Sequence, residues 1–250
     1  MIYLRSEAEI ENIRKASKIV AAVLEGIRNF IKPGFTTADL EIKASRLIEK
    51  EGAESAFKGY RGYPANICTS VNEAVVHGIP GGYRLKDGDI VSLDVGVKYS
   101  GYYGDAALTV GVGNIDSEVE RLLKVTEKAL YIAVASAVAG NRVGDISNAI
   151  QAYVEGNGFS VVRSYVGHGI GTSLHEEPSI PNFGTKGTGP RIKSGMVLAI
   201  EAMVNMGAYE VKISKDGWTA VTADGKPSAH FEHTVAITDK GPQILTVTTA

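Results

Sequence analysis

Cysteine is almost absent from this sequence, which has a single one, Cys68, among 250 residues. One cysteine cannot form an internal disulfide, and it is compatible with a reducing cytosol. Positive charge is not in excess either, because 26 Lys and Arg residues are offset by 28 Asp and Glu residues. A net charge of −2 lacks the basic footprint of nucleic-acid-binding proteins. We therefore expect a cytoplasmic protein that does not bind nucleic acid directly.

Long apolar runs are also absent, since none approaches the roughly 18 residues that a membrane-spanning helix needs. The N-terminal segment MIYLRSEAEIENIRKAS is rich in charge and has no apolar stretch of the kind found in signal peptides. The hydrophobic content of 44% is ordinary for a globular protein, and the length allows a sizeable core. These features predict a globular protein that is not associated with membranes.

Four helices are predicted from capping signals and apolar periodicity. The rest of the chain is predicted to be strands and loops, and the strands after the fourth helix are predicted over residues 161–166, 197–204, 210–213, 219–223 and 231–238. Serine three residues before glutamate, a capping box, marks the start of the first and third helices. The first predicted helix begins at the Ser6–Glu9 box and ends before Pro33, and the second is capped by Thr37 and ends near Lys50. The third begins at the Ser117–Glu120 box and ends near Ala139, and the fourth is capped by Asp145 and ends near Glu155.

The segment from Gly88 to Val110 is predicted to be a β-hairpin with one aspartate in each apolar arm. If Tyr99 and Ser100 form the turn, Asp94 faces Asp105, with Cβ atoms about 4.5–5.5 Å apart. At an effective dielectric constant of about 20, the two carboxylates repel by roughly 3–4 kcal/mol. Either one is protonated or a cation lies between them. A longer turn would instead leave both aspartates solvated.

A weak internal similarity links two strands. KDGDIVSLD, residues 86–94, aligns with KSGMVLAIE, residues 193–201, so Asp94 is equivalent to Glu201. The match could be chance, because a lysine and glycine before an apolar strand are common. If it is real, the chain is a single domain, 1–250, built from two related halves, roughly 1–110 and 111–250. The two carboxylates would then converge on one central site.

Three further ligand candidates are His168, in the glycine-flanked turn 167–171, and Glu201 and Glu232, on apolar strands where a lone carboxylate is costly to bury. Alone, each residue has an ordinary structural explanation, such as a backbone hydrogen bond. As a set they suggest a metal centre, because two divalent cations would neutralise the four carboxylates and form a hydrolytic site. The complete set is Asp94, Asp105, His168, Glu201 and Glu232.

Several longer motifs resemble those of type I methionine aminopeptidase in its short bacterial form, and they extend along the whole chain. The resemblance implies an α+β "pita-bread" fold, in which two pseudo-symmetric halves surround a curved antiparallel sheet. It also implies removal of the N-terminal methionine from nascent proteins whose second residue is small. The motifs are NEAVVHGIP (72–80), DGDIVSLDVGV (87–97), GYYGDAALT (101–109), GHGIG (167–171), HEEP (175–178), MVLAIEAM (196–203) and DGWTAVTADGKPSAHFEHT (216–234).

The resemblance also implies roles for the metal ligands. Asp94 would chelate one metal, Asp105 and Glu232 would bridge both, and His168 and Glu201 would complete the second. A hydroxide between the metals would be the nucleophile. Carboxylates with one imidazole suit Mn²⁺, Fe²⁺, Co²⁺ or Zn²⁺, and the sequence does not select among them.

The same resemblance implies three catalytic groups, of which Glu201 would shuttle a proton to the leaving amine. His175 would donate a hydrogen bond to the scissile carbonyl, and His77 would contact the amide nitrogen.

An apolar methionine pocket is implied as well, although from the residues alone its members are typical of an ordinary core. Leu174 departs from the family, which usually has phenylalanine there. Asn72 and Ser228 match positions around a monovalent-cation site in some members. The implied pocket residues are Tyr60, Tyr63, Cys68, Leu174, Met203 and Trp218.

Two alternatives remain open: another pita-bread hydrolase, such as an Xaa-Pro peptidase, and a binding protein on the same scaffold that has lost catalysis. The first typically has an additional N-terminal domain, for which this length leaves no room. The second usually lacks ligands that this chain retains. We expect a monomer that meets nascent polypeptides at the ribosome, although no basic patch indicates that contact.

Overall fold

The computed structural model describes residues 1–247 and contains four α-helices and thirteen β-strands. The helices are α1 Glu7–Arg28, α2 Thr37–Lys50, α3 Ser117–Ser136 and α4 Val143–Gly156. The strands are β1 Glu54–Ser55, β2 Cys68–Val71, β3 Ala74–Val76, β4 Ile90–Tyr99, β5 Tyr102–Gly111, β6 Ser160–Val161, β7 Val166–Gly169, β8 Glu176–Pro181, β9 Val197–Asn205, β10 Val211–Ile213, β11 Ala220–Thr222, β12 Ser228–Thr238 and β13 Gly241–Ile244.

Ten of the strands form one antiparallel sheet, in the order β1-β4-β5-β12-β9-β7-β8. Strand β2 pairs with β4, β13 with β12 and β6 with β9, whereas β10, β11 and β3 form a separate small sheet. Helix α1 packs on β4 and β5, and α3 packs on β9 and β12. The layers bury one apolar cluster beneath each helix pair. The sheet and helices agree with the predicted α+β class, and no helix among the described residues could span a bilayer.

Equivalent backbone hydrogen bonds recur in the two parts of the chain. The N–H of Gly34 donates to the carbonyl of Leu85, just as the N–H of Gly140 donates to the carbonyl of Ile192. The same correspondence relates Thr37–Tyr83 to Val143–Pro190 and Ala38–Gly81 to Gly144–Thr188. Two related halves would produce this pattern. The division at about residue 110 and the single domain stay predictions that these bonds support.

The helix starts differ in part from the predictions. The Ser6–Glu9 capping box at α1 is confirmed. Thr36, rather than Thr37, caps α2, and its Oγ1 accepts from the N–H of Asp39. Asp116 caps α3, so the predicted Ser117 box is wrong. Asp145 lies inside α4, where it accepts from the N–H of Arg142. Each prediction failed because a polar residue one to three positions earlier occupies the cap.

The strand predictions were less accurate where the apolar pattern is short. Residues 161–166 were predicted as one strand but are divided between β6 and β7. Strand β8 was missed, because its two prolines and two glutamates are atypical of a strand. The long central strands β4, β9 and β12 were predicted, since their apolar runs are long, although β12 begins at Ser228 rather than at Phe231.

Candidate functional site

The turn between β4 and β5 lies one residue later than predicted, and this shifts the pairing of the two strands by two residues. Tyr99 pairs with Tyr102, so the turn residues are Ser100 and Gly101, both with positive φ. Asp94 therefore faces Ala107, and Asp105 faces Gly96. The prediction that the aspartates face each other directly was wrong. They are diagonal neighbours on one face of the sheet, and the alternative in which both are solvated is wrong as well, because Asp105 is only 4% exposed.

Strand pairing places three of the carboxylates in one row across four central strands. Asp94 on β4 faces Ala107 on β5, Ala107 faces Glu232 on β12, and Glu232 faces Glu201 on β9. Successive residues of a strand point to opposite faces, so residues two apart share a face. Asp105 lies two positions before Ala107 and therefore projects on the same side as this row.

His168 on β7 completes the cluster from the next strand. It pairs with Ala199, which lies two residues before Glu201 on β9. Its Nδ1 is 2.9 Å from the carbonyl oxygen of Gly169. A carbonyl can only accept, so Nδ1 carries the proton and Nε2 is free to act as a ligand. This Nε2 lies 3.8 Å from Asp105 Oδ2.

Buried carboxylates without partners indicate that the cluster suits cations. One ligand atom each from Asp105, His168 and Glu232 lie within 4.8 Å of one another. Asp94 Oδ1, Asp105 Oδ1 and Glu232 Oε1 are buried and accept no hydrogen bond. Within residues 1–247, no Lys or Arg forms an ion pair with these acids. Orphaned buried carboxylates are costly, and a divalent cation would satisfy them.

Burial and mutual repulsion also raise the pKa values of three of the four acids. Burial, together with the nearby charge of Glu201, raises the pKa of Asp94 to about 7. Burial and the charge of Asp94 raise the pKa of Asp105 well above its ordinary value. Burial and the charge of Asp105 do the same for the pKa of Glu232. Without a cation, the site therefore retains protons that other carboxyl groups release well below neutral pH.

Glu201 differs from the other three acids because it has the shortest contact with a histidine. His230 Nε2 is 3.4 Å from Glu201 Oε2 and 3.9 Å from Glu232 Oε2. Burial would raise the pKa of Glu201, but His230, together with His168 and His77, outweighs burial and the pKa is lowered. His230 lies within the motif over residues 216–234, but the sequence assigned it no role. Its position two residues before Glu232, on the same face of β12, was the available signal.

Two buried threonines hold the backbone of the site. Thr234 Oγ1 donates to the carbonyl of Asp105 at 2.7 Å and accepts from its N–H at 3.1 Å. Thr109 Oγ1 forms the same pair of bonds with His230, both at 2.8 Å. These bonds cross the seam between β5 and β12 on either side of Glu232. They fix the two central strands where the cluster is densest.

The cluster lies at the bottom of a cavity of about 330 Å³ that His77 and His175 also line. The His175 ring is 4.2 Å from that of His168. Burial, with the charge of His168, lowers the pKa of His175 to about 3. Burial also lowers the pKa of His77, whose backbone has φ of 61°. Both imidazoles are therefore neutral near pH 7 and can donate or accept hydrogen bonds.

The apolar wall of this cavity includes five of the six residues named for a methionine pocket: Tyr60, Tyr63, Cys68, Leu174 and Trp218. The Tyr63 and Trp218 rings meet edge to face at 5.2 Å. Met203 does not line the cavity. It lies two residues after Glu201 on β9 and is fully buried in a separate cluster with Val162 and Ala220.

The residues named for a monovalent-cation site lie together at the end of β12. The N–H of Ser228 donates to the carbonyl of Asn72 at 2.9 Å. Asn72 Nδ2 donates to Asp89 Oδ1, and Ser228 Oγ donates to the carbonyl of Val204. The two residues are therefore neighbours with protein partners, and the cation stays a prediction.

Comparison with known proteins gives matches along nearly the whole chain. Residues 11–239 match metallopeptidase family M24. The chain is 56% identical over 247 residues to a methionine aminopeptidase of Clostridium perfringens, with 99% of each covered. It is 54% identical over 246 residues to methionine aminopeptidase 1 of Bacillus subtilis, covering 98% of this chain and 99% of the relative.

Solved structures give the same result. A methionine aminopeptidase from Thermotoga maritima superposes with a TM-score of 0.97 at 50% identity, over 99% of this chain and 100% of that one. A prolidase from Pyrococcus horikoshii superposes with a TM-score of 0.80 at 24% identity, over 98% of this chain and 64% of that one, and it shows the fold alone. The pita-bread fold is thereby confirmed. The chain belongs to the methionine aminopeptidases of metallopeptidase family M24.

Proposed function

We propose that the protein removes N-terminal methionine from peptides and nascent proteins whose second residue is small. One observation carries the proposal: a single cavity combines a cluster of four acids and a histidine with an apolar wall. The cluster offers the chemistry of hydrolysis, and the wall offers a place for a thioether side chain. The identities to methionine aminopeptidases support the choice of side chain.

Asp94, Asp105, His168, Glu201 and Glu232 would hold two divalent cations, of which Mn²⁺, Fe²⁺, Co²⁺ and Zn²⁺ all suit the ligands. Asp94 would chelate one ion, Asp105 and Glu232 would bridge, and His168 and Glu201 would complete the other. When bound, the pair supplies a nucleophile near neutral pH, because it lowers the pKa of a coordinated water. The three orphaned carboxylate oxygens support this assignment.

His175 would donate a hydrogen bond to the scissile carbonyl as its oxygen gains negative charge. Its Nδ1 lies 2.9 Å from the hydroxyl oxygen of Tyr60, whose ring stacks on the imidazole at 5.2 Å. If the Tyr60 hydroxyl donates to Nδ1, the neutral ring carries its proton on Nε2. Tyr60 would then select the tautomer that can donate, besides lining the pocket.

Glu201 would take the proton of the attacking water and deliver it to the leaving amine. His230 supports this role, because it keeps the pKa of Glu201 low and leaves the carboxylate able to accept a proton. His77, on the other side of the cavity against the Tyr165 ring, would contact the amide nitrogen.

The pocket would select methionine by shape and apolarity. Leu174 and Tyr63 are almost fully buried, so the wall they form is fixed by packing. Leucine at position 174 fills less of the pocket than the phenylalanine usual in the family. A small second residue would be required because the far wall lies close to the scissile bond.

The setting of the reaction is part of the proposal. Substrates would be nascent polypeptides in the cytoplasm, met at the ribosome by a monomer. A monovalent cation near Asn72 and Ser228 would bind outside the catalytic cluster.

The test is hydrolysis of three tripeptides, Met-Ala-Ser, Met-Leu-Ser and Ala-Pro-Ser, by metal-stripped protein reloaded with Mn²⁺ or Co²⁺. We expect methionine release from Met-Ala-Ser alone, and its loss in Asp94→Asn. Asp94→Asn keeps the shape of the side chain but removes the charge that a cation needs. Cleavage of only Ala-Pro-Ser would move the protein to the Xaa-Pro class. Two bound ions without any cleavage would favour a binding protein.

A further inference from the structure

The N-terminal segment before α1 lies against the loop that carries His175. The N–H of Arg5 donates to the carbonyl of Gly195 at 2.7 Å, and Ile2 forms a parallel bridge with Glu177. The N-terminal segment is thus attached both to the start of β9 and to β8. This arrangement brings the side chain of Arg5 next to Glu176, the residue that follows His175.

The guanidinium of Arg5 forms a buried ion pair with Glu176, the residue after His175. Arg5 Nη2 lies 2.6 Å from Oε1 and 2.7 Å from Oε2, and the two side chains are only 7% and 6% exposed. Glu9 offers Arg5 a second, longer contact of 3.4 Å. Charge-assisted bonds of this length, shielded from water, hold their partners in one geometry.

Glu176 in turn closes the loop 172–176. Its Oε1 accepts from the backbone N–H of Thr172 at 2.9 Å and of Ser173 at 3.0 Å. The carboxylate therefore joins both ends of a five-residue loop to Arg5. Leu174 and His175 lie between these anchor points, so their positions depend on this one carboxylate.

The guanidinium also packs against the beginning of the loop. A Cβ at Gly171 would lie 2.5 Å from Arg5 Nη2 and 2.8 Å from its Cζ. Such distances are far inside van der Waals contact, so glycine is needed there for the arginine to fit. The carbonyl of Gly171 is held by the N–H of Tyr103. The loop is thus bounded by Arg5 on one side and by β5 on the other.

The loop delivers two functional side chains to the cavity. Leu174, 2% exposed, lines the apolar wall, and His175 lies against His168. We propose that Arg5 is a positioning residue of the active site, which acts through Glu176 to hold both Leu174 and His175. This inference rests on the proposed function. It predicts that Arg5 affects the rate and the choice of side chain together.

The start of α1 does not by itself require the guanidinium. Ser6 and Glu9 already form the capping box, and the backbone N–H of Arg5 is bonded to Gly195. The side chain of Arg5 instead crosses to a residue 171 positions away. The shortest contacts of the Arg5 side chain are therefore with the loop 172–176.

The test compares Arg5→Met, Arg5→Lys and Glu176→Gln with the wild type, using Met-Ala-Ser, Leu-Ala-Ser and norleucine-Ala-Ser in the metal-loaded enzyme. Arg14→Met is the matched control, because Arg14 pairs with Glu11 on the exposed side of α1. In Arg5→Met we expect kcat for Met-Ala-Ser to fall about tenfold or more, as for other residues that orient active-site groups. The preference for methionine over leucine should narrow, and Arg5→Lys should restore most of both.

Unchanged kcat and unchanged side-chain preference in Arg5→Met, with only a lower Tm, would overturn the proposal and leave a structural ion pair. If Arg5→Met does not fold, Arg5→Lys and Glu176→Gln decide by the same two readouts. Glu176→Gln can still accept from the loop N–H groups but loses the charge that Arg5 pairs with. An inactive wild type would contradict the proposed function instead, and the two failures are therefore distinguishable.

Discussion

The β4–β5 pair and the β9–β12 pair have matching backbones but different chemistry. Their registers align, so that Asp94 is equivalent to Glu201. On the partner strands β5 and β12, Ala107 is equivalent to Glu232, and Asp105 is equivalent to His230. Only the first of these equivalences keeps the same kind of side chain. The backbone of the two strand pairs is therefore repeated, whereas most of the site residues on it are not.

The supporting hydrogen bonds are shared by both pairs of strands. Thr234 bonds the backbone of Asp105, and Thr109 bonds the backbone of His230 in the same way. The two threonines are themselves equivalent. The backbone positions are therefore held alike, and the difference lies in what each position carries.

The difference between His230 and its equivalent Asp105 gives the two equivalent acids, Glu201 and Asp94, different pKa values. On the β9–β12 side, His230 lowers the pKa of Glu201. On the other side the equivalent place is occupied by Asp105, and the pKa of Asp94 is raised to about 7, first by burial. Opposite pKa shifts at two equivalent carboxylates suit the proposed roles, in which both would bind metal and only Glu201 would also transfer a proton.

The two strand pairs differ most at Glu232, whose equivalent in the other half is Ala107. Glu232→Ala removes the carboxylate that faces Glu201, and we expect kcat/KM to fall by about 10³-fold or more, together with loss of one bound metal. Activity on Met-Ala-Ser and metal content by mass spectrometry measure both. His233→Gln, on the opposite face of β12 and able to keep the contact with Thr246, is the control. Full metal content in Glu232→Ala would exclude a bridging role.

The equivalent threonines permit a sharper test. Thr234→Val removes two buried hydrogen bonds, and Thr109→Val removes three, because Thr109 Oγ1 also bonds the hydroxyl of Ser92. Each change should cost about 1–3 kcal/mol of unfolding free energy. Thr234 holds a proposed metal ligand, whereas Thr109 holds His230, which acts through Glu201. We therefore expect metal affinity to fall about tenfold in Thr234→Val and less in Thr109→Val. Calorimetric titration measures it. Equal losses would show that the two positions are functionally interchangeable.

Sequence patterns located the acids of the site because Asp94, Glu201 and Glu232 interrupt long apolar strands, where a carboxylate is conspicuous. The predicted turn was one residue too early, which moved the partner of Asp94 by two residues, because several adjacent dipeptides around Ser100 could form the turn. His230 and Arg5 were missed for another reason. Their partners lie on other strands or far along the chain, and no periodicity within a segment records such contacts.

The smallest expected effect concerns the metal-free protein, where the two sides of the sheet titrate differently. Folded-state pKa values raised above the unfolded value stabilise the protein at low pH, and this stability is lost as pH rises through the folded pKa. Asp94 has a folded pKa of about 7, and those of Asp105 and Glu232 are also raised. Between pH 6.5 and 8.5, Tm should therefore fall, on the order of 5 °C.

Below pH 6.5 the buried histidines act in the opposite direction, since their pKa values are lowered and the unfolded chain gains protons that the folded protein excludes. Scanning calorimetry from pH 6.5 upward isolates the carboxylates. Asp94→Asn should flatten the slope, whereas Glu201→Gln should not, because the pKa of Glu201 is already lowered. A wild-type slope of the opposite sign would mean that the acids are ionised without cations. The difference between Asp94 and Glu201 would then lie in geometry alone.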